Sequence, residues 1–301
     1  MRGFILAAGF GTRLKPVTDT LPKALVPVCG EPLLAHNLRV LHRSGAFSAI
    51  GVNSHYLHGL MERFQRESPI PFELFHENDK IRGTGGALYL AKDFLKGDDT
   101  FLIANVDILH KFDIAELASR FVNERRICSQ VSIPTDGIGT VLYDGVTGDY
   151  LGVSDDRERL KSAGLLRRSA HFGKLNASPR NDDEAACSSR RKAIQSVPSN
   201  DGHCERSEAV RSVANMRYLI GNSILEAEFT GVAFYRREFL DFVKEDDFSI
   251  VPIWKRASLT GRPPGIITPN KEASWWMDIG TREALAKIEA EVGDGRINLW
   301  N

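Results

Sequence analysis

This chain of 301 residues has little of what several common function classes require. Its formal charge is zero, from 39 basic and 39 acidic residues. General nucleic-acid binding draws its affinity from neutralising phosphates, and a balanced composition argues against it. No apolar run comes near the roughly 20 residues that a membrane-spanning helix needs. Cysteine is scarce: Cys29, Cys128, Cys187 and Cys204 show no paired spacing. That argues against a disulfide framework and suits a reducing compartment, so a cytoplasmic protein is expected. Met1-Arg2 ahead of Phe4 to Ala8 has the outline of a signal peptide, but the apolar part is too short and Gly9 to Arg13 breaks it. No fixed repeat is present, so no appended left-handed β-helix is expected. Hydrophobic residues make up 42% of the chain, enough for a substantial core.

What is present begins at once. Phe4-Ile5-Leu6-Ala7-Ala8 is an apolar run that ends in Gly9-Phe10-Gly11, followed by Thr12, Arg13 and Lys15, and then by Pro22-Lys23-Ala24-Leu25. The pattern predicts a buried strand that ends near Ala8 in a sharp turn. Gly9 and Gly11 remove side-chain bulk where the turn must approach something closely. Backbone N–H groups freed by such a turn form a concave anion site. Arg13, Lys15 and Lys23 then supply positive charge, so the stretch reads as a cradle for a polyphosphate. It is neither of two common phosphate motifs. A dinucleotide fingerprint wants glycine where Leu14 stands, and a Walker loop wants Gly-Lys-Ser/Thr at its end.

Further on, apolar spacing predicts a helix over 33–44, a strand over 49–53, a helix over 56–64 and an extended segment over 69–75. Gly83-Thr84-Gly85-Gly86 reads as a second glycine loop before a helix over 87–95. A buried strand over 100–106 ends at Asp107. A helix to about 125 and strands over 127–133 and 140–143 follow. Strands alternating with helices imply right-handed βαβ units and a parallel sheet. The expectation is an α/β, Rossmann-like, mostly parallel sheet flanked by helices, with ligands beyond the carboxyl ends of the strands, where Gly9, Asn53 and Asp107 stand.

The character then changes. Residues 157–215 are rich in Arg, Ser, Asn and Asp with little periodicity, and read as a disordered or loosely folded insertion within one domain, 1–301. The alternatives are a lid over the acceptor site or, from His171, Cys187, His203 and Cys204, a metal knot. The latter spacing matches no zinc pattern. Order returns with strands at 218–220 and 228–235, helices over 237–244 and 250–259, and an amphipathic helix over 282–292. Before that last helix, Asp278 stands between Met277 and Ile279 beside Trp275 and Trp276. A carboxylate in apolar surroundings needs a partner. A divalent cation shared with Asp107 is one, and carboxylates with phosphate oxygens suit Mg²⁺.

The string Gly9-x-Gly11-Thr12-Arg13-Leu14-x-Pro16-x-Thr18-x-x-x-Pro22-Lys23-x-Leu25 resembles the full signature of the sugar-phosphate nucleotidylyltransferases, with no fixed position missing. The segments Asn105-Val106-Asp107 and Trp276-Met277-Asp278-Ile279-Gly280-Thr281 resemble that family's two metal-binding segments, in the expected order. Val106 stands where the family often has glycine. The resemblance covers the chain except the insertion. It looks nearest to N-acetylmuramate-1-phosphate uridylyltransferases and related hexose-1-phosphate enzymes, and it lacks the Glu-Lys-Pro sugar-binding segment of larger relatives.

The resemblance implies an enzyme that joins an NTP and a sugar-1-phosphate, with UTP and a hexose- or N-acetylmuramate-1-phosphate first and GTP with mannose-1-phosphate next. It implies Mg²⁺ on Asp107 and Asp278, Arg13 on the leaving pyrophosphate and Lys23 on the reacting phosphates. Gly9, Gly11 and Thr12 would give backbone contacts. Leu6, Ala7, Ala8 and Gly9, with Gly85, would line the base. Asn105 joins the nucleotide set, and Asn53 and Gly231 are candidates for the acceptor. A monomer or small homo-oligomer is expected, with neither nucleic acid nor membrane as partner. Two other readings stand beside this one. A cytidylyltransferase acting on phosphocholine or another alcohol phosphate usually carries Glu in the late metal segment. A catalytically silent, nucleotide-binding regulatory subunit would have lost one of Arg13, Lys23, Asp107 or Asp278, all of which are present. If 157–215 is an insertion, excising about 161–213 leaves a folded, active protein. A collapse of the thermal unfolding midpoint would instead make the segment part of the core, and a selective rise in acceptor KM would make it a lid.

Overall fold

The computed structural model describes residues 1–135, 139–153, 156, 224–270 and 274–299. The predicted insertion at 157–215, its His and Cys residues, and the predicted strand at 218–220 lie outside the described residues.

Strand β1 (Arg2–Leu6) leads into the glycine loop, which carries three single-turn 3₁₀ segments, Thr12–Leu14, Val17–Asp19 and Lys23–Leu25. A small hairpin, β2 (Pro27–Val28) and β3 (Glu31–Pro32), precedes helix α1 (Leu33–Arg43). Then come β4 (Ala49–Ser54), α2 (His58–Glu67), β5 (Glu73–His76), α3 (Gly83–Leu90), α4 (Lys92–Leu95), β6 (Thr100–Asn105), β7 (Ile108–His110) and α5 (Ile114–Asn123). Strands β8 (Cys128–Pro134), β9 (Val141–Asp144), β10 (Tyr150–Val153) and β11 (Ile224–Arg236) follow, then α6 (Ile250–Ala257), β12 (Gly265–Ile267), β13 (Trp276–Asp278) and α7 (Arg282–Gly293).

Among the described residues the main sheet has nine strands, with β10-β9-β11-β6-β1-β4-β5 in order and β8 and β12 attached through β11. Strands β6, β1, β4 and β5 run parallel, and β11 joins β6, β8 and β9 antiparallel. The parallel half is the expected Rossmann-like α/β architecture. A parallel sheet covered on both faces reads as continuous apolar runs, and Phe4-Ile5 and Phe101 to Ala104 are buried accordingly. Phe4, Phe101, Tyr235 and Trp254 belong to one core face, and Ile5, Leu38, Leu102 and Phe234 to the other. Phe101 stacks on Tyr235 across the β6–β11 pair with ring centroids 5.1 Å apart.

Three departures from the sequence reading bear on function. The predicted second glycine loop is instead the first turn of α3. Its glycines answer packing: a Cβ at Gly85 would lie 2.7 Å from the Asp247 carbonyl, and one at Gly83 would collide with that of Phe248. The three-residue strands β7 and β13, too short to give a periodic signal, pair antiparallel. They bring Asp107 and Asp278 to neighbouring places, with Asp278 opposite Ile108. Last, the pleat turns Asp278 outward, so its carboxylate is exposed rather than set among the tryptophans.

Candidate active site

The parallel strands all end at one edge, and the side chains expected to carry chemistry gather there. A cavity of about 240 Å³ is lined by Leu6, Ala8, Gly9, Lys23, Asn53, Glu77, Ile81, Gly83, Thr84, Asn105, Val106 and Asp107. Lys23 Nζ forms an ion pair with Asp107 on its wall, and the two side chains are only 12% and 17% exposed. Among the sequence candidates, Leu6, Ala8, Gly9, Lys23, Asn53, Asn105 and Asp107 thus share one cavity.

Local structure explains the placement of Lys23. Gly11 has φ +63, a left-handed conformation that favours glycine. A Cβ there would meet Lys23 Cβ and Thr18 Cγ2, each at 2.9 Å. The Gly11 carbonyl accepts hydrogen bonds from Leu14 N at 2.8 Å and Thr18 Oγ1 at 2.9 Å. The missing side chain at Gly11 therefore admits the Lys23 stem, and Thr18 locks the loop. Around Gly9 there is open space where a Cβ would stand. That leaves its face of the cavity clear.

Arg13 and Asp278 sit beside this wall. The Arg13 guanidinium lies against Gly280, where any Cβ would collide with it. Gly280 N donates to Asp278 Oδ1 at 2.6 Å, and Ile279 N donates to the Asp107 carbonyl at 2.7 Å. Arg13 and Asp278 thus meet beside Gly280, and the Ile279 bond ties their segment to the backbone of Asp107, which pairs with Lys23. Thr12 is exposed on the loop. Lys15 departs from its expected place beside the phosphates: it is 60% exposed and pairs with Asp19 at 2.9 Å, which raises its pKa.

Two further candidates stand behind the wall rather than on it. Gly85 is buried against the Asp247–Ser249 backbone, and Gly83 and Thr84 line the cavity in its stead. Gly231 has φ +79 within an irregular stretch of β11, where a Cβ would lie 3.0 Å from Asn105 Nδ2. It backs Asn105. Ala7 is buried, and its N–H donates to Asn53 Oδ1 at 2.6 Å.

Sequence reading missed Glu77. Its carboxylate is fully buried, accepting from Asn53 Nδ2 at 2.7 Å and from Arg82 N at 2.6 Å. It ties the ends of β4 and β5 to the start of α3. Its one available signal was its place just beyond the carboxyl end of a parallel strand. His110 on β7 is also buried, which pushes its pKa down to about 4, so the imidazole is neutral near pH 7. Its Nδ1 accepts from Phe112 N at 3.2 Å and helps to shape the turn after β7.

The arrangement suits an anionic ligand. Lys23 and Arg13 offer cationic donors, and the glycine loop offers a wall without side chains. The carboxylate pair also fits a hard divalent cation. Asp107, in the turn between β6 and β7, and Asp278, on the strand paired with β7, offer carboxylate oxygens, and such a cation takes its remaining ligands from phosphates and water. Among the described residues no group of three or more His, Cys, Asp or Glu forms a metal cage. Any metal there would depend on the ligand's own oxygens. No helix among the described residues is long and apolar enough to cross a membrane.

The same fold recurs in solved structures. A putative glucose-1-phosphate thymidylyltransferase from Bacillus anthracis, in complex with a sucrose, superposes with a TM-score of 0.62 at 18% identity, over 99% of this chain and 96% of that one. HddC from Yersinia pseudotuberculosis, complexed with GMP-PN, gives 0.61 at 15% identity, over 97% and 99%. Those likenesses define the fold class, a mostly parallel, Rossmann-like α/β sheet flanked by helices. In sequence, residues 2–136 match the family described as Nucleotidyl transferase. Relatives include the mannose-1-phosphate guanylyltransferase catalytic subunit beta of Danio rerio, 32% identical over 157 residues, which are 49% of this chain and 43% of that protein. The mannose-1-phosphate guanyltransferase of Candida albicans is 33% identical over 122 residues, 39% and 33% of the two chains. The chain spans less than half the length of these relatives.

The glycine loop gives a direct test of this geometry. Gly11→Ala forces a left-handed alanine and pushes on Lys23. It is expected to weaken nucleotide binding at least tenfold, measured by calorimetry, whereas Gly9→Ala, with open space for its methyl, weakens it less. Equal effects of the two substitutions would contradict the role given to Gly11.

Proposed function

We propose that this protein transfers a nucleotidyl group from an NTP to a sugar-1-phosphate, giving an NDP-sugar and pyrophosphate. The observation that carries the reading is the Lys23–Asp107 pair on the wall of a glycine-loop cavity, with Arg13 and Asp278 alongside. The family match over residues 2–136 supports it.

The reaction needs no protein nucleophile. The phosphate of a sugar-1-phosphate is already ionised near neutral pH. One of its oxygens attacks the α-phosphorus of the NTP, a new P–O bond forms, and the bond to the β-phosphate bridge breaks. That electron pair leaves with pyrophosphate, and no proton has to move. The protein must align the two phosphates and neutralise charge that grows on the leaving group. The Lys23 stem passes the bare Gly11 and presents its ammonium at the cavity wall, where it serves the reacting phosphates. Arg13 stands at the loop's outer side, where its planar fork can hold the pyrophosphate. Leu6, Ala8, Gly83 and Thr84 offer a flat slot for the base, and Asn53 and Asn105 offer polar contacts along it. Asp107 and Asp278 would hold Mg²⁺, which when bound supplies further neutralisation of phosphate charge.

The names of the curated relatives favour GTP with mannose-1-phosphate as the first pair to assay. UTP with a hexose- or N-acetylmuramate-1-phosphate follows from the likeness to short uridylyltransferases. Pyrophosphate release is expected only when an NTP, a sugar-1-phosphate and Mg²⁺ are present together. Lys23→Ala and Asp278→Asn should each lower kcat by about 10²-fold, as removal of one preorganised electrostatic group does. Excess Mg²⁺ should partly restore Asp278→Asn and leave Lys23→Ala unchanged. Tight nucleotide binding without turnover for any pair would favour a silent subunit. Turnover with phosphocholine but no sugar phosphate would favour the cytidylyltransferase reading.

A further inference from the structure

Both peptide planes that flank Asp107 are held by partners. The carbonyl of Val106 accepts a hydrogen bond from Asn37 Nδ2 at 3.0 Å. The carbonyl of Asp107 accepts one from Ile279 N at 2.7 Å. Because a peptide unit is planar, the first bond orients the amide that enters Asp107 and the second orients the carbonyl that leaves it. The amide of Val106 is itself tied to the Leu6 carbonyl at 3.1 Å. The backbone of Asp107 is thus set by α1 on one side and by the segment after Asp278 on the other.

Asn37 is, with His36, one of two buried polar residues of α1. It is 4% exposed, and its helical neighbours Leu33, Leu34, Leu38 and Leu41 are buried apolar residues. Nδ2 also donates to the Leu33 carbonyl at 3.0 Å, one turn back. Both partners are carbonyl oxygens, so only the NH₂ end of the amide can face them. An apolar residue would satisfy the helix packing without any need for hydrogen bonds. A buried amide is tolerated only where its bonds are made, and here one of them reaches the residue next to Asp107.

We propose that Asn37 is a positioning residue for Asp107. It touches neither nucleotide nor metal. It fixes the Val106–Asp107 peptide so that the Asp107 carboxylate stays at the cavity wall when Lys23 turns to a phosphate and a cation takes its place. The inference rests on the reading of Asp107 as a metal-holding carboxylate and extends it to the support of that carboxylate. Misplacement of a reacting or coordinating group by about 1 Å can cost on the order of 10²-fold, so loss of this support has a measurable effect.

The test uses Asn37→Leu, which is close in shape and has no donor, and Asn37→Gln, which keeps the donor on a longer stem. Nucleotide affinity is measured by calorimetry on the full chain with GTP and UTP, in Mg²⁺ and in EDTA, without acceptor. The thermal unfolding midpoint is measured alongside. Asn37→Leu is expected to lose about tenfold in affinity in Mg²⁺ and little in EDTA, with Asn37→Gln intermediate. A merely structural asparagine would lower the unfolding midpoint while leaving the affinity of the folded protein alone, and that result overturns the inference. So does an equal loss with and without Mg²⁺. If Asn37→Leu does not fold, an Asn37→Gln protein with unchanged Mg²⁺-dependent affinity overturns it. Since no acceptor is present, a protein that binds Mg²⁺ and nucleotide in this way yet never turns over would sink the transferase reading and leave the role of Asn37 standing.

Discussion

The ion pair between Lys23 and Asp107 is the interaction on which the rest of the site depends. Each partner is largely removed from water, so either one alone would be a costly buried charge. The sequence meets that constraint from several directions. Gly11 forgoes a side chain so that the lysine stem can pass, and Thr18 holds the Gly11 carbonyl in place. Ile279 N–H holds the Asp107 carbonyl, and β13 carries Asp278 to the same edge. A ligand that brings phosphate to Lys23 and a cation to Asp107 satisfies both charges again. The pair therefore holds the site in order before any ligand enters.

The sheet makes such a convergence possible. The loop after β1, the turn after β6 and the end of β13 are distant in sequence, and the parallel core places them at one edge. Buried aromatic packing between β6 and β11 fixes the strand that delivers Asp107. Charged groups can then be held with little rearrangement when charge develops on a phosphate, which is where electrostatic catalysis gains most of its effect. Glu77 extends the same principle along the cavity, since its buried carboxylate joins Asn53 to the backbone that leads into α3.

Much of this was legible in the sequence because it is local. The run from Phe4 to Leu25 carries its loop chemistry in adjacent residues, and the strands at 49–53 and 100–106 are mostly apolar. Where contacts join distant residues, the sequence was silent or misleading. Glu77 and Asn37 have partners in other segments of the chain, and neither lies in a motif. The glycines at 83–86 looked like a ligand loop because the backbone of Asp247 to Ser249, which excludes their side chains, lies far along the chain. Lys15 stands inside the signature yet turns to Asp19, four residues away, a choice made by side-chain geometry alone. Asp278 was placed in apolar surroundings by its neighbours, although the alternation of a short strand sends it outward.

The central claim is that the cavity presents the α-phosphorus of an NTP to a phosphate acceptor. The most direct measurement follows the fate of that phosphorus. The protein is incubated with Mg²⁺, mannose-1-phosphate or N-acetylmuramate-1-phosphate, and GTP or UTP labelled at the α-phosphate. The label is expected to move into an NDP-sugar while the released pyrophosphate is unlabelled. Label that ends in a free nucleoside monophosphate would make the protein a hydrolase, and that result would contradict the account.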